Sequence, residues 1–178
     1  ANGDGEIAEK LIEGAKWAGC DAIKFQKRTI DKVYLKEELD KPRESPWGTT
    51  VREQKIGLEF DEEEYDEIND YCQMVDIPWF ASPWDLKSVE FLKKYRLTYN
   101  KIPSARLGHI DLLKAVAKQK IYTFISTGMS TLDEIKQAID IFKTEDCQFE
   151  LLHCNSAYPA DPKDLNLNMI PILRSLYN

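Results

Sequence analysis

The sequence predicts an α/β fold built on a parallel sheet. Three observations carry this. Five short apolar runs each end in a polar cluster: Ile23-Lys24-Phe25-Gln26, Phe80-Ala81-Ser82-Pro83, Lys101-Ile102-Pro103-Ser104, Ile125-Ser126-Thr127-Gly128 and His153-Cys154-Asn155-Ser156. Each run sits between stretches with helical periodicity, and strands that alternate with helices pair in parallel. At 178 residues, 43% of them hydrophobic, the chain has enough apolar side chain for one core. Parallel sheets bind ligands at the carboxyl ends of their strands, so the polar clusters are expected to converge on one site.

The elements follow in order. Ile7, Leu11, Ile12, Ala15 and Ala18 share one face of a first helix, which Gly19 ends. A strand runs from Asp21 to Gln26. Residues 28 to 59 show no clear period and carry Pro42, Pro46, Trp47 and Gly48 among many charges. A stretch this long reads as a functional loop over the site. Helix signals resume at Asp61, whose spacing to Glu64 is that of a capping box, ahead of Tyr65, Ile68, Tyr71 and Cys72. Pro78 to Ser82 is a strand. Asp85 caps a helix with Val89, Leu92 and Tyr95 on its apolar face and Phe91 alongside, and a strand from Tyr99 to Ser104 follows. Ile110, Leu112, Leu113 and Val116 mark a helix, Tyr122 to Thr127 a strand, and Thr131 to Phe142 a helix opened by Thr131 and Glu134. Phe149 to Cys154 is the fifth strand. Asn168 caps a last helix that runs to about Leu176, with Pro171 in its first turn, where a missing N–H costs little.

Five strands and six helices result, and the first helix has no strand before it. In a TIM (β/α)8 barrel the first helix follows the first strand, so the chain reads as an incomplete barrel lacking strand 1 and the last units. An open doubly wound sheet is the alternative and needs no missing parts. No Gly-rich fingerprint follows any strand, which argues against a dinucleotide-binding version of it. The barrel is preferred.

The net charge of -7 and pI near 5.0 exclude a basic nucleic-acid or anionic-membrane surface. Cys20, Cys72, Cys147 and Cys154 include no C-x-x-C pair and lie in or beside apolar runs. They read as buried thiols in a reducing compartment. No run is long enough to cross a bilayer and no signal-peptide pattern opens the chain; the expected cytoplasmic location rests on the reduced thiols.

Two lysines, Lys24 and Lys101, stand near the strand ends with the hydroxyls of Ser82, Ser104 and Ser126. Fixed cations and short donors suit a phosphate or carboxylate. Taken singly, each is as well explained as a solvated lysine or a turn-forming serine; their coincidence favours a small anionic substrate. His109 precedes a helix and reads as a surface or capping residue, and His153 as a satisfied core histidine, since no second histidine or cysteine stands at a recognised ligand spacing to it. The acidic run from Asp61 to Glu64 is expected to be structural. Trp79 and Trp84 suit either a sugar platform or the core.

Asn2-Gly3-Asp4, Lys24-Phe25-Gln26, Ser82-Pro83, Lys101-Ile102-Pro103-Ser104, Ser126-Thr127-Gly128-Met129 and His153-Cys154-Asn155-Ser156-Ala157-Tyr158-Pro159 occur in the order and spacing of the sialic acid synthase family, which the chain resembles over essentially its whole length. The resemblance implies a TIM barrel that condenses phosphoenolpyruvate with an N-acetylated amino sugar such as N-acetylmannosamine, releasing phosphate and forming N-acetylneuraminate or a related nonulosonate. It also implies phosphoenolpyruvate-binding roles for Lys24, Ser82, Lys101, Ser104, Ser126 and Ser156, and sugar-binding roles for Gln26 and Tyr158. A divalent metal, typically Mn2+, is implied with ligands outside this chain. So is a homodimer in the complete enzyme, closed by a C-terminal antifreeze-like domain that this chain lacks. On this reading the chain alone is expected to be inactive. Arg106 stands where many members carry an acidic residue, and Ala1 where a histidine is common, which leaves the acceptor sugar open. Two alternatives remain: a non-catalytic barrel fragment or sugar-phosphate-binding protein, and another phosphoenolpyruvate-aldose condensing synthase.

Overall fold

A computed structural model describes residues 1–177. They fold as two compact units, residues 1–98 and 99–177. In the first, helix α1 (Gly5–Trp17) leads to strand β1 (Ile23–Lys27), followed by α2 (Ile30–Val33), α3 (Lys36–Leu39), strands β2 (Pro42–Ser45) and β3 (Gly48–Thr50), helices α4 (Val51–Gly57) and α5 (Glu62–Met74), strand β4 (Trp79–Pro83) and helix α6 (Leu86–Leu92). β1 and β4 pair in parallel, with Lys24 opposite Phe80 and Gln26 opposite Ser82. Phe25 points to the other face. There it meets Phe60, Tyr65 and Trp79 edge-on at centroid distances of 6.3, 6.3 and 5.9 Å. Such pairs add about 0.5–1.5 kcal/mol each beyond the area they bury. Ala8 and Ile12 of α1 and Ile68 and Cys72 of α5 complete this core.

The second unit contains β5 (Asn100–Ile102), α7 (Ile110–Ala117), β6 (Thr123–Ser126), α8 (Leu132–Thr144), β7 (Phe149–Leu152) and α9 (Met169–Tyr177). The three strands pair in parallel in the order β5-β6-β7. Ile102 and Ile125, in register, are fully buried, as are Leu113 and Val116 of α7 and Phe142 of α8. The five strands expected from the apolar runs and the six helices that alternate with and flank them are all present, so the α/β reading holds.

The helix starts follow the expected chemistry. Asp61 and Glu64 form a reciprocal capping box on α5, and Thr131 and Glu134 form one on α8. Asp85 accepts from Ser88 N at 3.0 Å and Ser88 Oγ at 2.7 Å, and also from Thr29 N at 2.7 Å and Thr29 Oγ1 at 2.9 Å. One carboxylate thus starts α6 and holds the chain leaving β1.

Residues 28 to 59 differ from expectation. They form three short helices and an antiparallel hairpin, β2 with β3. Each element has three to seven residues, too few turns or alternations for a period to stand out in the sequence. The excursion is tied down at its start and its end. Arg28 Nε donates to Glu59 Oε1 at 2.5 Å, Glu59 Oε2 accepts from Arg28 N at 3.0 Å, and Arg28 Nη1 donates to Tyr34 OH at 3.0 Å. Arg52 of α4 pairs with Asp31 of α2. The Trp47 indole lies on Gly57, where a Cβ would stand 2.1 Å from Trp47 Cγ. Two further expectations change. Cys20 is exposed and Cys154 only half-buried, while Cys72 and Cys147 are buried. Trp79 is a core residue, its Nε1 donating to Asn69 Oδ1 at 3.3 Å.

Burial raises the Asp85 pKa, but the donors from Ser88 and Thr29 outweigh it and the net shift is downward. A carboxylate whose folded pKa lies below its unfolded value of about 3.9 stabilises the fold fully above that value, and the contribution is lost as pH falls through the folded pKa. Asp85→Ala is therefore expected to cost about 2 kcal/mol at neutral pH, the scale of a lost cap plus an orphaned donor. The deficit should shrink below about pH 3. Urea unfolding at the two pH values checks this, and an equal deficit at both would refute it.

Candidate functional site

The alternation of side chains along a strand assigns each polar residue to a face. In β1, Phe25 occupies the aromatic core, so Lys24 and Gln26 lie on the opposite face, beside the β4 residues paired with them, Phe80 and Ser82. Ser82 is buried. The Gln26 carbonyl accepts from Tyr65 OH at 2.9 Å, which locks the end of the strand to α5. Lys24 and Gln26 line a cavity of about 400 Å³ together with Asn2, Leu11, Arg28 and Phe60. The Lys24 side chain reaches solvent, yet burial by the surrounding protein lowers its pKa. Lys24, Gln26 and Ser82 therefore share one face of the β1–β4 pair.

The second unit holds a tighter cluster. Lys101, 8% exposed, donates from Nζ to the Ile102 carbonyl at 2.9 Å and to Ser126 Oγ. Cys154 Sγ donates to the same Ser126 oxygen at 3.2 Å. Gly128 N donates to Ser104 Oγ at 3.0 Å. A Cβ on Gly128 would lie 2.7 Å from Ser156 Oγ, 2.9 Å from Ser104 Oγ and 3.0 Å from the Cys154 carbonyl. Three hydroxyls and a lysine ammonium thus gather near a turn in which a Cβ at position 128 would crowd two of the hydroxyls. Four of the five strand-end residues expected in this half, Lys101, Ser104, Ser126 and Ser156, are brought together. Tyr158 is not one of this group; it is 96% exposed.

Thr127 Oγ1 donates to the Leu152 carbonyl at 3.1 Å and holds the turn to β7. Met129 then adopts a left-handed conformation at φ 61°, which a non-glycine residue takes at some cost. The participation of Cys154 and of the Gly128 N–H was not foreseen. The Ser-Thr-Gly sequence after an apolar run is the signal for the second; nothing local marks the first.

The histidines behave as expected. His153 Nε2 lies 2.7 Å from the Leu165 carbonyl. His109 is exposed at the start of α7, and Arg106 Nη1 donates to its Nε2 at 2.9 Å; partial burial, then the Arg106 charge, lowers its pKa. Among the described residues no three His, Cys, Asp or Glu side chains come together to hold a metal ion. Among the described residues, no helix is long and apolar enough to cross a membrane.

A chemistry follows from these groups: a cation and several oriented short donors receive carboxylate or phosphate oxygens. The model described as the NeuB family matches residues 11–178. The chain is 34% identical over 175 residues to N-acetylneuraminate-9-phosphate synthase of Drosophila melanogaster, covering 97% of this chain and 47% of that protein. It is 33% identical over 181 residues to N,N'-diacetyllegionaminic acid synthase of Legionella pneumophila, covering 97% and 51%. Among solved structures, the N-acetylneuraminic acid synthetase of Leptospira borgpetersenii, crystallised with citrate, superposes with a TM-score of 0.87 at 30% identity, covering 99% of this chain and 58% of that one. That likeness makes the fold TIM-barrel-like. The chain spans about half the length of the curated relatives it matches.

Gly128→Ala should force the Ser104 and Ser156 hydroxyls apart. A destabilisation of about 1–3 kcal/mol is expected for overpacking of this kind. An unchanged denaturation midpoint would show that the turn has room to spare.

Proposed function

This chain belongs to the NeuB family, and from that premise we propose that it forms the anion-binding part of a synthase that condenses phosphoenolpyruvate with an N-acetylated amino sugar. The product is a nonulosonate such as N-acetylneuraminate or a relative, and phosphate is released. The observation that carries this reading is the cluster of Lys101, Ser104, Ser126 and Ser156 around Gly128. We read the five parallel strands as consecutive strands of an eight-stranded barrel, and residues 1–178 as a stretch of that synthase domain.

In this mechanism Lys101 supplies charge, and the serine hydroxyls orient the oxygens of phosphoenolpyruvate. The resemblance adds Lys24 and Ser82 as phosphoenolpyruvate contacts, and Gln26 and Tyr158 as sugar contacts. The acceptor reacts as its open-chain aldehyde. C3 of phosphoenolpyruvate forms a bond to the aldehyde carbon, whose oxygen takes up a proton. Water then adds at C2, and the C2–O bond to phosphate breaks. Holding both reactants at bonding distance removes much of the entropic part of the barrel reaction's barrier. We assign a divalent metal, Mn2+ by preference, to the complete protein; when bound it would polarise the aldehyde. We place its ligands outside this stretch of chain.

We further propose that the complete protein works as a homodimer. A cytoplasmic location suits its four free cysteines, since thiols persist in a reducing compartment.

The direct test is phosphate release by the full-length protein with Mn2+, phosphoenolpyruvate and either N-acetylmannosamine or its 6-phosphate. Release with one of these acceptors is expected. A protein that binds phosphoenolpyruvate but turns over no N-acetylated amino sugar would sink the synthase reading. Lys101→Ala should raise the Kd for phosphoenolpyruvate about 10- to 100-fold, the worth of a hydrogen bond to a charged group. Calorimetric titration reads this, and an unchanged affinity removes Lys101 from the site.

A further inference from the structure

Ser126 Oγ receives two donors at once, Lys101 Nζ from β5 and Cys154 Sγ at 3.2 Å from the segment after β7. A serine hydroxyl has two acceptor lone pairs and one proton. With both lone pairs engaged, the proton is left to be given away in the remaining direction. We infer that Cys154 is a positioning residue: its thiol fixes the Ser126 hydroxyl as a one-way donor to an oxygen of the bound anion. This rests on the phosphoenolpyruvate reading of the cluster and adds to it the reason that a thiol, rather than another side chain, stands at position 154.

That reason lies in the asymmetry of sulfur. A thiol is a weak donor and a weak acceptor, so it can hand its proton to Ser126 but competes poorly for the serine's own. A hydroxyl at the same place would donate as well but also accept, and the Ser126–154 bond could reverse. An apolar side chain would leave one lone pair of Ser126 unclaimed and its rotor without a fixed direction. Ser126 is 6% exposed, so bulk water does not readily substitute for the missing donor. The backbone geometry is in place for this role, because the Cys154 carbonyl forms part of the wall against Gly128.

The test is a double-mutant cycle read by calorimetric titration of phosphoenolpyruvate into the full-length protein. Cys154→Ala is expected to raise the Kd about fivefold, in line with one neutral hydrogen bond. Cys154→Ser should recover part of that loss. In a Ser126→Ala background, Cys154→Ala should cost nothing more, because the effect travels through the serine hydroxyl. Equal losses with and without Ser126 would mean that the thiol only fills space, and would overturn the inference; so would wild-type affinity in Cys154→Ala. If Cys154→Ala does not fold, Cys154→Val and Cys154→Ser make the comparison: weaker binding by the first than by the second, with the second still short of wild type, supports the role, and equal binding overturns it. A wild-type protein that binds no phosphoenolpyruvate overturns the underlying reading of the cluster instead.

Discussion

Phe25 sets the direction of the polar residues on either side of it. Its ring is committed to the aromatic core with Phe60, Tyr65 and Trp79, and a pleated strand then has no choice but to turn Lys24 and Gln26 to the other face. The parallel pairing extends the same rule to β4, where Ser82 comes into register with Gln26. In the second unit the buried pair Ile102 and Ile125 plays the part of Phe25, and Lys101 and Ser126 take the opposite face. Burial of an apolar side chain is worth roughly 1.5–3 kcal/mol, and a one-residue slip would forfeit it at every strand position together. Polar chemistry is therefore positioned by apolar packing one residue away.

The turns after the strands add a second kind of control. Where β6 ends, Thr127 bonds the Leu152 carbonyl, Gly128 offers its N–H to Ser104, and Met129 accepts a left-handed backbone. The first two bonds tie the end of β6 to its neighbouring strands, β7 and β5. The cluster of hydroxyls is thus built from backbone geometry as much as from side-chain choice, and the lack of a Cβ at Gly128 is what lets three strand ends approach so closely.

Much of this was legible in the sequence. The five apolar runs mark the five parallel strands because buried strands carry continuous apolar sequence that stops where the chain meets polar turns. Asp61, Asp85 and Thr131 announce their helices because a cap is a local interaction between residues three apart. The stretch from 28 to 59 was illegible for the converse reason: its helices and hairpin are too short to show periodicity, and the Arg28–Glu59 pair that closes it spans 31 residues. Even there one sign was present, the capping box of Thr50 and Glu53 at the start of α4. Cys154 illustrates another limit. A lone cysteine in an apolar run reads as packing, and its bond to Ser126 exists only once β6 and β7 lie side by side.

The reciprocal caps at Thr50, Asp61 and Thr131 have a bearing on how such a scaffold diversifies. Each cap fixes where its helix begins within four residues, without reference to the segment before it. The connection between a strand's end and the next cap can then lengthen, shorten or exchange residues while the helix keeps its onset and its grip on the sheet. Self-contained helix starts make the rim of the sheet a place where new side chains can be tried one loop at a time, with the packed interior insulated from the outcome.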